Sequence, residues 1–167
     1  MMDSVWSAEG RAGRYGRRVV RVLVTGMSGV GKSTLLEELS RRGYTTVDTD
    51  YGGWHRPDGT WDEQRMGALL DQRATVVVSG TADNQGRFYD RFHHVVLLSA
   101  PLPVLIDRVV NRSNNPYGKT PEQRADIERY VREVEPLLHR GATVSLDGRR
   151  PVDELADVVE QLIIETS

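Results

Sequence analysis

The chain has 167 residues, 38% of them apolar and 28% charged, which is the make-up of one soluble globular domain around a single core. Its 22 Lys+Arg against 24 Asp+Glu give a net charge of -2, with no basic excess to suggest bulk binding to nucleic acid or an anionic membrane. It has no cysteine, which excludes a disulfide framework, a thiol nucleophile, an iron–sulfur cluster and a Cys-ligated zinc site.

Residues 1–18, rich in glycine and arginine and without periodicity, read as a flexible leader, and residues 19–167 as one domain. Asp3, Glu9 and the arginines interrupt the N-terminus too often for a secretory signal. No run nears the ~18 apolar residues of a membrane span. A cytoplasmic location is the resulting expectation.

Val19 to Thr25 is a β-branched run ending at a glycine, which predicts a buried strand. Lys32 to Arg42 follows with Leu35, Leu36 and Leu39 at helical spacing, and Gly43 marks its stop. Strands are predicted at Tyr44 to Val47, Ala74 to Val78, Val95 to Leu98 and Ala142 to Leu146, with a helix at Trp61 to Gln72. Pro101 to Arg112 reads as a helix with Val104, Leu105, Val109 and Val110 on its apolar face. The next helix starts at Thr120 as N-cap, with Pro121 in the first turn and Gln123 as return partner. Val152 to Ile164 closes the chain as an amphipathic helix. Short strands alternating with helices imply right-handed crossovers and a parallel sheet covered on both faces. Ligands of such sheets bind in the crevice at the carboxyl ends of the strands.

That crevice is where the strongest motif falls. Gly26-Met27-Ser28-Gly29-Val30-Gly31-Lys32-Ser33 matches G-x-x-x-x-G-K-[ST], between a predicted strand and a predicted helix. Glycines let the backbone curl so that successive amides face phosphate oxygens, and the helix N-terminus adds positive potential. Lysine occurs only at positions 32 and 119, so one of two sits where the motif needs a compact ammonium. Gly26, Ser28, Gly29, Val30, Gly31, Lys32, Ser33 and Thr34 are therefore the expected triphosphate-binding set, with Lys32 on the β- and γ-phosphates and Ser33 on Mg²⁺.

Asp48-Thr49-Asp50 ends the second predicted strand. Residues two apart on an extended segment face the same way, so both carboxylates are expected beside the phosphate loop. Asp48 would then serve the metal, and Asp50 would take the proton of an acceptor hydroxyl.

The phosphate loop, the helix after it and this Asp-x-Asp resemble the shikimate kinase and gluconate kinase branch of the nucleoside monophosphate kinase-like proteins, over about residues 19–165. The resemblance implies an α/β, three-layer P-loop NTPase fold with a five-stranded parallel sheet and a short lid at about residues 112–120. It implies ATP and Mg²⁺, and a small-molecule hydroxyl acceptor. It implies that Asp50 binds the acceptor hydroxyls, that Arg65 (with Arg56 a weaker competitor) grips an acceptor carboxylate, and that Arg129 or Arg132 touches acceptor or phosphate. Arg112 would fold over the γ-phosphate, with Lys119 a second candidate for phosphate contact. Arg108 would pack near the adenine, beside the loop carrying Arg149. Preference for ATP over GTP rests on the resemblance.

Two departures from that branch stand out. Ser79-Gly80-Thr81-Ala82-Asp83-Asn84-Gln85 replaces its usual glycine run, and Tyr51-Gly52-Gly53-Trp54-His55 replaces its acceptor-pocket pattern. An acceptor other than shikimate is expected, with Trp54, His55 and Trp61 as flat pocket walls unless the tryptophans are core. Ser79 stands where many P-loop enzymes carry a metal-linked aspartate, leaving Mg²⁺ to Ser33, Asp48 and waters, with Asp83 a weaker substitute. Two other readings stay open: a nucleoside monophosphate or nucleoside kinase, and a nucleotide-binding regulatory protein with little catalysis. Monomer and homodimer are both compatible with the sequence.

Overall fold

The structure, a computed structural model, describes residues 18–113 and 115–167. The expected leader therefore lies outside the described residues except for Arg18.

Five parallel strands form one sheet in the order β2-β3-β1-β4-β5: β1 (Arg21–Thr25), β2 (Thr46–Asp48), β3 (Val76–Ser79), β4 (His94–Ser99) and β5 (Val144–Asp147). The β1 strand lies at the centre, pairing Val24 with Ser79 on one side and with Val96 on the other. Between the strands run α1 (Lys32–Arg41), α2 (Glu63–Asp71), α3 (Leu102–Asn111), α4 (Pro121–Glu133) and α5 (Glu135–Gly141), and α6 (Val152–Thr166) follows β5.

Alternation along β1 builds both faces of the sheet. Val22 and Val24 enter the cluster formed with Leu35, Leu39, Val159 and Ile163 of α1 and α6. Leu23 enters the opposite cluster, with Trp61, Met66 and Leu70. Trp61 is fully buried, stacks obliquely on Phe88, and donates its indole N–H to Thr49 Oγ1 at 3.1 Å. It belongs to the core, not to a pocket wall.

The expected α/β sheet and its helices are present, with shifted bounds. The helix from Trp61 starts later, because the Asp62 side chain accepts the Arg65 amide at 3.1 Å and caps it there. Thr120 caps α4 through the Gln123 amide, but the Gln123 side chain turns back to the Gly118 amide at 2.9 Å instead of closing a capping box. Val110 is exposed, so the inward face of α3 is Leu105 and Val109. A 3₁₀ helix at Gln85–Arg91 and the separate α5 were not anticipated; Val134 interrupts the helical run between α4 and α5.

Leu39 is fully buried between α1, α6 and the sheet, so Leu39→Ala is expected to lower the unfolding free energy by ~2–5 kcal/mol. Urea denaturation read by circular dichroism checks this.

Candidate active site

Five parallel strands end at one rim, and the loops leaving β1, β2, β3 and β5, together with α3, line a cavity of about 1130 Å³. Because β1 is central, the loop after it occupies the middle of that cavity. The loops after β2 and β3 form one end, and α3 with the loop after β5 forms the other.

The central loop is residues 26–31. Gly29 has φ +87, and a Cβ on it would lie 2.8 Å from the Leu105 carbonyl oxygen, so α3 packs against bare backbone there. Gly31, at φ +104, is the N-cap of α1 and offers no side-chain cap. The first-turn amides of α1 thus keep the uncapped donors that make a helix N-terminus an anion site. Gly26, Ser28, Gly29, Val30, Gly31, Lys32, Ser33 and Thr34 all line the cavity.

Lys32 is only 9% exposed. Its Nζ donates to the carbonyls of Gly26 at 2.7 Å and Met27 at 3.1 Å. Burial pushes its pKa down, opposed by the carboxylates of Asp50 and Asp48 and reinforced by Arg112. Ser33 Oγ donates to Asp48 Oδ2 at 2.6 Å. A hydroxyl and a carboxylate in contact at the phosphate loop are hard oxygen donors, the set that suits Mg²⁺. Among the described residues there is no group of three or more His, Asp or Glu side chains that could hold a metal on its own. Any magnesium here would complete its shell with phosphate oxygens and water.

The β2 strand stops at Asp48, and Asp50 lies in the turn beyond it with its amide on Asp48 Oδ1 at 3.1 Å. The two-residue alternation expected to aim both carboxylates therefore does not operate. An Asx-type turn brings Asp50 to the cavity wall, while Asp48 stays behind on Ser33. Ser79 is fully buried, its hydroxyl has no hydrogen-bond partner among the described residues, and it does not line the cavity. Thr81 does. It donates to the Gly26 carbonyl at 2.8 Å and is itself bonded to Thr25, which accepts from Gln85 Nε2 at 3.1 Å. This relay braces the start of the phosphate loop from the adjacent strand end.

Arg108 lines the cavity and bridges two loops, donating to Val30 O at 3.1 Å and Gly148 O at 2.9 Å. Arg112 does not share its helical face, because α3 ends at Asn111 and Arg112 turns into extended backbone. Its guanidinium reaches back over the loop to Ser28 Oγ at 3.3 Å and Tyr117 O at 2.7 Å. Burial lowers its pKa, opposed by the nearby Tyr51, Asp50 and Tyr117. Lys119 points the other way, capping the end of α3 through the carbonyls of Val110 and Arg112.

Arg65, Trp54, Arg129 and Arg149 do not line the cavity, and neither does Asp48. Arg65 donates to Gly52 O and stacks over Trp54 at 3.9 Å, which occupies both side chains with each other. Arg129 pairs with Asp126 at 3.1 Å and lies over Tyr130. Arg149 pairs with Asp147 at 2.7 Å; Gly148 and Arg150 of that loop line the cavity instead. Not foreseen were Asp58 and Gly59 at the cavity wall. They form the tip of a short hairpin in which His55 bridges Trp61. The Asp-Gly pair between two aromatic positions was the available turn signal.

The Asp147 carboxyl is drawn down to about 2 by hydrogen bonds from Arg149. A depressed carboxyl pKa contributes stability above the ordinary carboxylate range and loses it as pH falls toward 2. Both side chains are exposed, so the stability effect is small. Arg149→Ala removes the guanidinium and keeps the amide that also donates to Asp147, so it is expected to raise the Asp147 midpoint part of the way toward ~3.9 in a carbon-detected NMR titration.

Residues 22–131 match the family model of the AAA domain. No curated protein sequence matches the chain. Solved structures do. A shikimate kinase from Acinetobacter baumannii in complex with shikimate superposes with a TM-score of 0.67 at 19% identity, covering 92% of this chain and 98% of that one. A gluconokinase from Sinorhizobium meliloti 1021 gives 0.59 at 20%, covering 89% and 94%. A shikimate kinase from Bacteroides thetaiotaomicron gives 0.62 at 17%, covering 86% and 98%. At these identities the likeness establishes the fold, which is that of the P-loop kinases the sequence resembles. No helix among the described residues is long and apolar enough to cross a membrane.

Proposed function

Since the chain belongs to the AAA domain family and carries that phosphate loop in a P-loop kinase fold, we propose that it is an ATP- and Mg²⁺-dependent phosphotransferase acting on a hydroxyl of a small metabolite. One observation carries the reading. The Lys32 ammonium, the Ser33 hydroxyl and the Asp50 carboxylate line one cavity, with Asp48 behind it on Ser33, each suited to a different part of the reaction.

The amides of residues 26–34 and Lys32 hold the triphosphate. In binding it, Lys32 exchanges two loop carbonyls for phosphate oxygens, and the low dielectric around it strengthens that contact. Ser33 and Asp48 would hold magnesium, which supplies neutralisation of the β- and γ-phosphate oxygens. Asp50 orients the acceptor hydroxyl and receives its proton. The acceptor oxygen bonds to the γ-phosphorus, the bond to the β–γ bridging oxygen breaks, and ADP leaves. Arg112, carried by the segment proposed as a lid at about residues 112–120, lies over the phosphate loop, where a guanidinium stabilises transferring charge and helps exclude water. Arg108 joins the phosphate loop to the loop after β5 and shapes the far end of the cavity for the base.

An ATP-consumption assay over polyols, hydroxy acids, sugars and nucleosides tests the reading. One class of acceptor should stimulate turnover, and ATP binding without stimulation by any of them refutes it. Asp50→Asn should lower kcat by roughly 10²–10⁴ while leaving the KM for ATP near that of the wild type. Lys32→Ala should abolish turnover. A nucleotide-binding regulator would instead keep its function in Asp50→Asn.

A further inference from the structure

The Gly26 carbonyl accepts twice. Lys32 Nζ donates to it at 2.7 Å and the Thr81 hydroxyl at 2.8 Å. Gly26 is buried, so a donor lost there is costly to replace. The other carbonyl that Lys32 holds, that of Met27, is provided for in the same way: it also accepts the Val30 amide at 3.2 Å. Each carbonyl that Lys32 gives up to reach a phosphate therefore has another donor already in place. For Met27 that donor is the loop's own backbone. For Gly26 it is a side chain 55 residues further along the chain, on the loop after β3.

The neighbours of that hydroxyl fix where its proton goes. Thr81 gives its one proton to Gly26 O, so in the 3.0 Å contact between the two threonine hydroxyls it is Thr25 that donates. The second lone pair of Thr81 Oγ1 accepts the Gly26 amide at 3.4 Å. Thr25 is fully buried and accepts in turn from Gln85 Nε2 at 3.1 Å. Gln85 is buried as well, and it cannot present its side-chain amide the other way, because its Oε1 accepts the Ala82 amide at 2.8 Å. The donors run in one direction, from Gln85 through Thr25 and Thr81, and end on the phosphate loop. The backbone that carries Thr81 is held too. The Gly80 amide donates to Val24 O at 3.0 Å, and a Cβ on Gly80 would collide with Thr49 Oγ1.

We propose that Thr81 is a positioning residue for the triphosphate: its hydroxyl keeps the Gly26 carbonyl, and with it the start of the phosphate loop, in place when Lys32 turns from that carbonyl to the phosphates. This rests on the nucleotide-binding part of the phosphotransferase reading. Thr81 touches no phosphate in this role. It lets Lys32 change partner without stranding a buried acceptor, so the loop keeps its curl. Removing the hydroxyl affects the two states unequally. The free protein still has Lys32 on Gly26 O, and the liganded protein has neither donor. Thr25 loses its acceptor in both states, which lowers stability and cancels in binding.

Calorimetric titration of the intact protein with ATP in the presence of Mg²⁺ tests this, with urea unfolding of each variant alongside. Thr81→Val removes the hydroxyl at nearly constant volume, and its Kd for ATP is expected to rise about tenfold. Thr81→Ser restores the hydroxyl and should bring the Kd back to within about threefold of the wild type. Thr81 is half-buried, and Thr81→Ala takes the place of the valine variant if that one does not fold. A hydroxyl that served stability alone would lower the unfolding free energy of Thr81→Val and leave its Kd unmoved. That result, or Thr81→Ser binding ATP as weakly as Thr81→Val, overturns the assignment and leaves the kinase reading standing. A wild-type protein that binds no ATP overturns both.

Discussion

A buried ammonium must find oxygen, and that requirement organises the middle of this molecule. Lys32 is nearly enclosed, and its burial is tolerable because two loop carbonyls accept from it and two carboxylates lie close. The loop that supplies those carbonyls can curl only because glycines occupy its tight positions, and α3 packs so close that a side chain at Gly29 would collide with it. A polyanion arriving at this loop meets an ammonium already desolvated and a helix end already uncapped. Much of the cost of organising the site is therefore met in folding, before any ligand binds.

The sheet order turns that local feature into a cavity with two ends. With β1 at the centre, the segments after β2 and β3 stand on one side of the phosphate loop and those after β4 and β5 on the other. The lining cations come from the phosphate loop, from α3 and the residue after it, and from the loop after β5, while the lining carboxylates come from both sides, Asp50, Asp58 and Asp83 on the first and Asp107 on the second. Thr81 joins the sides mechanically. It stands on the loop after β3 yet bonds to the first glycine of the phosphate loop, so a change in one loop is felt in the other.

The arginines repeat one lesson. Arginine accounts for nearly all the positive charge of the chain, and sequence position alone offers several of them to the cavity. Most are taken by a nearby carboxylate, carbonyl or ring: Arg149 by Asp147, Arg129 by Asp126, Arg65 by Gly52 and Trp54. Arg108 and Arg112 differ because their partners are neutral oxygens around the cavity, Val30 O and Gly148 O for the first, Ser28 Oγ and Tyr117 O for the second. A long flexible side chain pairs with the first good acceptor within reach, and that acceptor is a property of the fold, not of the helix that carries the arginine.

What could be read along the chain was whatever depends on neighbours in sequence. The strand–loop–helix at residues 21–41 was legible because β-branched residues, glycines and leucines at helical spacing act over a few positions, and the motif's chemistry is carried by its own backbone. The parallel sheet followed from the alternation of elements. Side-chain direction did not follow, because it depends on contacts between distant segments. Asp50 reaches the wall through a turn instead of strand alternation, and Trp61 goes to the core because Thr49 and Phe88 wait for it there. Only tertiary packing could bring the Asp58–Gly59 tip against Asp83 at the cavity wall: electrostatic potential there sums over groups close in space, whatever their separation along the chain.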